Sequence, residues 1–189
     1  MQSISTVDEV LDLVATGGGA AYFGEPVTVL EHSLQAAWFV QRNNTAIHVV
    51  VERSLVAAAL LHDLGHLLHT EGEDAAQHGL DTRHEELAAA ALGRHLPASV
   101  VDPIRMHVAA KRYLCFAETG YLGGLSPASV ESLALQGGPM TAAQADAFLS
   151  VPYAREAVAL RRADDAAKVR GLSVPPLETY RSLLTTLWR

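Results

Sequence analysis

The pair His62-Asp63 stands inside the apolar run Leu60-Leu61-His62-Asp63-Leu64-Gly65-His66. An imidazole beside a carboxylate among leucines loses hydration on burial, and that cost is offset only by ion pairing or by a bound metal. Four more residues of the same chemical kind are spread along the chain. His32 lies between Leu30 and Leu34, His84 opens His84-Glu85-Glu86, His107 follows Pro103 and Ile104, and Asp164 ends Leu160-Arg161-Arg162-Ala163-Asp164. A lone histidine on a helix is more often structural than ligating. The ordered set His32, His62-Asp63, His84, His107, Asp164 is different, because a bundle can bring such side chains to one centre from several helices. Histidine with carboxylate and no thiolate suits iron, manganese or zinc. A satisfied buried ion pair is the bland alternative for His62-Asp63.

The elements that must position these residues read as helices. Apolar spacing predicts helices over 5–14, with Ser5 or Thr6 as cap, and over 27–43 after Pro26. An Ala- and Leu-rich stretch predicts one over 54–68, which carries His62-Asp63. Further helices are expected over 81–96, 97–114, 141–149, 152–170 and 177–187, with Gly137-Gly138-Pro139 as a break and 118–127 as looser chain. The β-branched run 48–51 is too short to seed a sheet. The expectation is one all-α domain over 1–189.

Composition narrows the function. The chain has 189 residues, 49% of them hydrophobic and 19% charged, enough to bury a core. A net charge of −7 argues against binding nucleic acid or an anionic membrane. The single cysteine, Cys115, excludes a disulfide framework, and no apolar run approaches the ~18 residues of a membrane span. With no basic, apolar leader at 1–10, a cytoplasmic protein is expected.

The order His…His-Asp…Asp resembles the HD-domain superfamily of helical, metal-dependent phosphohydrolases, and His84 and His107 resemble its two-metal members. Longer segments resemble one branch of it: Tyr22-Phe23-Gly24-Glu25, Leu30-Glu31-His32-Ser33-Leu34-Gln35, His107-Val108-Ala109-Ala110-Lys111-Arg112-Tyr113-Leu114, Leu125-Ser126-Pro127-Ala128-Ser129 and Gln136-Gly137-Gly138-Pro139-Met140. That branch is the mixed-valent diiron oxygenases that cleave the carbon–phosphorus bond of 1-hydroxyphosphonates, and the likeness runs from about Tyr22 to Tyr180. The resemblance implies an HD-domain bundle holding two irons as Fe(II)/Fe(III). One ion would take His32, His62, Asp63 and Asp164. The other would take the shared Asp63 with His84 and His107. It further implies O2 as co-substrate and an upstream 2-oxoglutarate-dependent hydroxylase as supplier of the hydroxyphosphonate.

The same resemblance assigns the substrate side. Tyr22 would occupy the vacant iron position at rest, and Glu25 would meet the hydroxyl or amine end of the substrate. His66 is expected to contact substrate, with a hydrogen-bonding role behind the metal as the alternative. Lys111, four residues after His107 and one of only two lysines in the chain, is expected to hold a phosphonate oxygen as a point charge, against the plainer reading of a surface cation. Ser126, Ser129, Gln136 and Arg161 complete the expected phosphonate pocket. Ser126 before Pro127 equally reads as a helix N-cap, which is compatible with anion binding, and Arg161 as an ion-pair partner. Arg162 and Asp165 are expected at the surface, and His48, His69, His78 and His95 outside the site. The acidic, glycine-broken loop 70–82 is expected as a lid.

Three functions are weighed. The first is oxidative cleavage of a hydroxyphosphonate. The segment Gly79-Leu80-Asp81-Thr82-Arg83-His84-Glu85-Glu86 resembles the relative acting on 1-hydroxy-2-(trimethylammonio)ethylphosphonate, which yields glycine betaine and phosphate. The 2-amino-1-hydroxyethyl analogue, yielding glycine, is the alternative substrate, and Tyr22, Phe23, Trp38, Tyr113 and Tyr121 are candidate aromatic walls for an ammonium. The second is two-metal hydrolysis of a phosphate ester. The third, a ligand-sensing domain, predicts a missing metal ligand, and none of the six is missing.

Overall fold

The computed structural model describes residues 4–43, 49–68 and 81–189. Within them the chain is all-α, and the only strand-like pairing is a single bridge between Ala21 and Thr28. The helices are α1 (Val7–Gly17), α2 (Val29–Asn43), α3 (Val49–Leu61), α4 (His84–Leu92), α5 (Ala98–Ala117), α6 (Tyr121–Gly124), α7 (Pro127–Leu135), α8 (Ala142–Leu149), α9 (Ala154–Ala166) and α10 (Arg181–Leu187). Short 3₁₀ turns at Leu64–Leu67 and Leu177–Tyr180 interrupt them. None of the described helices is long and apolar enough to cross a membrane.

Local signals account for many of the ends. Thr6 caps α1 through a reciprocal capping box with Glu9. Thr141 does the same for α8 with Gln144. Ser126 accepts from the Ser129 N–H, and Pro127 stands in the first turn of α7. The sequence reading left α7 without a helix of its own; the cap was its only visible signal.

The centre is a closed ring of packing: α2 on α3, α3 on α5, α5 on α9 and α9 back on α2, with α4 laid on α5. Ala57, Ala58 and Ala59 of α3 are fully buried there beside Leu60, Ile104 and Leu160. Such small side chains let helix axes approach and bring polar side chains from opposite helices within reach of one another.

One expectation fails in an instructive place. The helix predicted over 54–68 stops at Leu61, so His62 and Asp63 lie in a turn and not on a helix face. The cause is Gly65: a Cβ there would sit 1.9 Å from the His84 carbonyl oxygen, so the chain bends to pass directly under the start of α4. His66 therefore reaches the centre through a 3₁₀ turn, closed by His66 N–H donating to Asp63 O at 2.9 Å, and not through the helical four-residue spacing from His62. Of the β-branched run 48–51, residues 49–51 start α3, and His48 lies outside the described residues, as do His69, His78 and residues 70–80 of the expected lid.

Candidate metal centre and anion pocket

Five elements deliver the six candidate ligands: α2 brings His32, the turn after α3 brings His62 and Asp63, α4 His84, α5 His107 and α9 Asp164. All six are buried. His32, His62 and Asp164 form one group whose ligand atoms lie close enough to share an ion, and Asp63, His66 and His84 form a second. Asp63 faces both. Its Oδ2 lies 3.3 Å from His62 Nε2 and 3.5 Å from His32 Nε2, while its Oδ1 lies 3.5 Å from His84 Nε2 and 3.8 Å from His107 Nε2. Asp164 closes the first group, with Oδ1 3.4 Å from His32 Nε2.

The ring nitrogens carry the argument for a cation. His32 Nδ1 lies 2.8 Å from the Ala167 carbonyl, His62 Nδ1 2.8 Å from Ala59 O, and His107 Nδ1 2.8 Å from Ile104 O. Each Nδ1 is thereby committed as a donor, which leaves Nε2 with a lone pair. Yet His32 Nε2 and His62 Nε2 are 3.2 Å apart, and His84 Nε2 and His107 Nε2 3.0 Å. Two Nε2 atoms at such distances either share a proton or face a common cation, because two bare lone pairs would repel. With metal bonds of about 2.0–2.2 Å, neighbouring ligand atoms are expected roughly 3.0–3.5 Å apart, which is the spacing found. Burial pushes His32 and His107 down to about 4 and His84 well below its ordinary value, keeping these imidazoles neutral as ligation needs. Burial also opposes a charge on His62, but Asp63 and then Asp164 outweigh it and raise the group to about 9, so His62 offers the ion-free cluster a place for one proton. The residues fit two metal ions.

Tyr22 covers this cluster. Its hydroxyl donates to Asp63 Oδ2 at 2.7 Å and its ring stacks on His32 at 3.9 Å. It rides on a strap, Tyr22-Phe23-Gly24-Glu25, closed by Glu25 N–H donating to Tyr22 O at 2.7 Å. Phe23 packs on His66, whose own ring stacks on His84.

Next to Asp164 lies a cluster of buried cationic side chains and hydroxyls. Arg161 is buried, 2.8 Å from Asp164 Oδ2, paired also with Asp165 and 3.4 Å from Ser129 Oγ. Lys111 is buried on α5 and donates to Ser132 Oγ at 2.8 Å; burial, with Arg161 nearby, lowers its pKa to about 7. Asp165 is thus no surface residue: it is half-buried, pairs with Arg161 and accepts from the Tyr121 hydroxyl. Arg162 does stay exposed, paired with Glu118. Gln136 stands at the far end of α7, its Oε1 buried without a hydrogen bond. Of the candidate aromatic walls, Tyr22 and Phe23 line the centre and Tyr121 the pocket. Trp38 instead packs on Phe39 and Arg42, and Tyr113 on Phe148. His95 stacks on Trp188, away from the ligand groups.

Sequence reasoning missed Lys168. Its Nζ lies 3.2 Å from both Ser126 Oγ and Ser129 Oγ and 3.3 Å from Glu25 Oε1. Helical spacing does not mark it, because α9 ends at Ala166 and Lys168 lies beyond.

Relatives with curated names bear on the same chain. It is 45% identical over 166 residues to hydroxymethylphosphonate dioxygenase of Gimesia maris, covering 87% of this chain and 79% of that one. The chain belongs to the hydroxyphosphonate dioxygenase family. A second member, the glycine-betaine-forming [1-hydroxy-2-(trimethylamino)ethyl]phosphonate dioxygenase of Leisingera caerulea, is 39% identical over 158 residues, 84% of this chain and 78% of that one. An uncharacterized protein of Acanthamoeba polyphaga mimivirus is 31% identical over 185 residues, 97% of this chain and 82% of its own. No family model matches. The family's named substrates share an anionic phosphonate and a carbon-borne hydroxyl, and the structure sets the Lys111–Arg161 cluster beside a candidate metal centre.

Proposed function

We propose that this chain is a diiron dioxygenase that uses O2 to cleave the carbon–phosphorus bond of a 1-hydroxyphosphonate. The observation that carries the reading is Asp63, one carboxylate whose two oxygens address two separate histidine groups, with Arg161 binding the adjacent Asp164 from the pocket side. His32, His62, Asp63 and Asp164 would hold one iron, and Asp63, His84 and His107 the other. Two irons there, as Fe(II) and Fe(III), would supply the activation of O2 and the oxidation at C1.

The chain's own residues bind and orient. Lys111, Arg161, Ser129 and Ser126 take the phosphonate oxygens, with Lys111 and Arg161 supplying positive charge and the serines hydroxyl donors. Gln136 and His66 complete that grip. Tyr22 holds the Asp63 side of the centre until substrate arrives, and Glu25 meets the substrate's other end. Release of the phosphonate as phosphate leaves C1 as a carboxylate, the two products together taking up both atoms of O2.

For the substrate we favour 1-hydroxy-2-(trimethylammonio)ethylphosphonate, giving glycine betaine; the Tyr22 and Phe23 rings and the Glu25 carboxylate suit an ammonium. The 45% identity to a hydroxymethylphosphonate dioxygenase supports a second reading, with formate as the carbon product. The enzyme then works in the cytoplasm, behind a 2-oxoglutarate-dependent hydroxylase. Phosphorus NMR on iron-loaded, partly reduced protein given O2 tests this, with the trimethylammonio compound, its free amine and hydroxymethylphosphonate as substrates. Phosphate released only with O2 is the expected result, and the rate order identifies the substrate. Phosphate from a phosphate ester without O2, and none from the phosphonates, would establish hydrolysis instead.

A further inference from the structure

We propose that Lys168 is a positioning residue that couples filling of the phosphonate pocket to release of the Tyr22 strap. The inference rests on the organophosphonate reading above.

The ammonium of Lys168 has three protons and three neighbours: the hydroxyls of Ser126 and Ser129 on the first turn of α7, each at 3.2 Å, and Glu25 Oε1 on the strap at 3.3 Å. Glu25 Oε1 is buried and accepts no hydrogen bond, so the Lys168 charge is what offsets its lost hydration. On the other side, Ser129 Oγ is also within 3.4 Å of Arg161, which joins Lys168 to the anion pocket through one hydroxyl.

The strap is held against its local preference. Phe23 has φ +45°, and a side chain at positive φ is strained, so the turn relies on the contacts that its side chains make, Tyr22 on His32 and Phe23 on His66 among them. Two further contacts are polar ties that reach outside the strap, the Tyr22 hydroxyl on Asp63 and the Glu25 carboxylate beside Lys168. An anion arriving among Ser129, Arg161 and Lys111 competes for the Lys168 protons and places negative charge near Glu25. One tie then loosens, and the strained turn pulls on the other. Pocket occupancy and the position of Tyr22 are linked through a single side chain.

The test uses zinc-loaded protein carrying 3-fluorotyrosine at position 22, read by fluorine NMR, with methylphosphonate affinity measured by calorimetry. In the unaltered protein, methylphosphonate binds and moves the Tyr22 resonance to a second position. Lys168→Met is expected to weaken methylphosphonate at least tenfold and to place the resonance near that second position with no anion added. Glu25→Gln cuts the same tie from the strap side. It should shift the resonance likewise. Unshifted resonances in both variants, or undiminished affinity in Lys168→Met, would overturn the coupling alone. A Tyr22 resonance that ignores saturating methylphosphonate would do the same. Failure of the unaltered protein to bind methylphosphonate would remove the substrate reading and the coupling together.

Discussion

Asp63 and Asp164 sit in the same centre with unequal responsibilities. Asp63 reaches both histidine groups, whereas Asp164 reaches His32 and His62 and is tied to Arg161. On the proposed two-ion centre, Asp63→Ala is expected to lose both ions and His84→Ala only one; metal content per chain after gel filtration, by mass spectrometry, distinguishes the outcomes. Lys111 gives a pH prediction. Its folded pKa, about 7, lies below its ordinary value of 10.5, so the fold disfavours the charged form. That penalty is full below pH 7 and vanishes as pH rises towards 10.5, so stability should climb between those values. Lys111→Met should flatten the climb and raise stability at pH 7 by on the order of 1 kcal/mol, while weakening methylphosphonate; denaturant unfolding at pH 6.5 and 9 checks the first part. All six ligand candidates were legible as residues, because buried histidines and carboxylates in an apolar chain are conspicuous. Lys168 and Asp165 were not, because nothing in a short charged run tells which side chains turn inward.

At the scale of elements, the alanine-rich α3 and the caps of α1 and α8 could be read from local chemistry alone. The end of α3 could not. Leu64-Gly65-His66-Leu67-Leu68 satisfies helical spacing, and what stops the helix is the backbone of α4, distant in sequence. A tertiary approach of this kind overrides propensity. Gly65→Ala should accordingly force apart the turn and the start of α4, costing about 3 kcal/mol or more and loosening the His84 side of the centre. The expected readout is a lower melting temperature and, on the proposed two-ion centre, loss of the ion on the His84 side first. In α1, Thr6→Ala removes half of a capping box and should cost about 1 kcal/mol without touching metal content, which makes it a control for stability effects in general.

For the whole molecule, the ring of α2, α3, α5 and α9 is closed around polar groups, so ions held by the proposed ligands would act as part of the core. Metal held at a thousandfold excess over its dissociation constant adds about 4 kcal/mol to folding. Chelation should then lower the melting temperature by roughly 10 °C at about 2–4 °C per kcal/mol, and calorimetry with and without chelator measures it. The bundle class was legible from helical periodicity throughout; the contacts between helices that make the pocket were not, since periodicity fixes faces and says nothing of partners. The placement of the two lysines has a practical side. Lys111 is buried and Lys168 is 14% exposed at its side chain, and the chain has no lysine elsewhere. Acylating reagents that seek amines, including acetyl donors in a cell, find no harmless lysine on the outer surface to absorb them. A single acyl group on a lysine of this protein is a blow to the pocket, and methylphosphonate should shield against it.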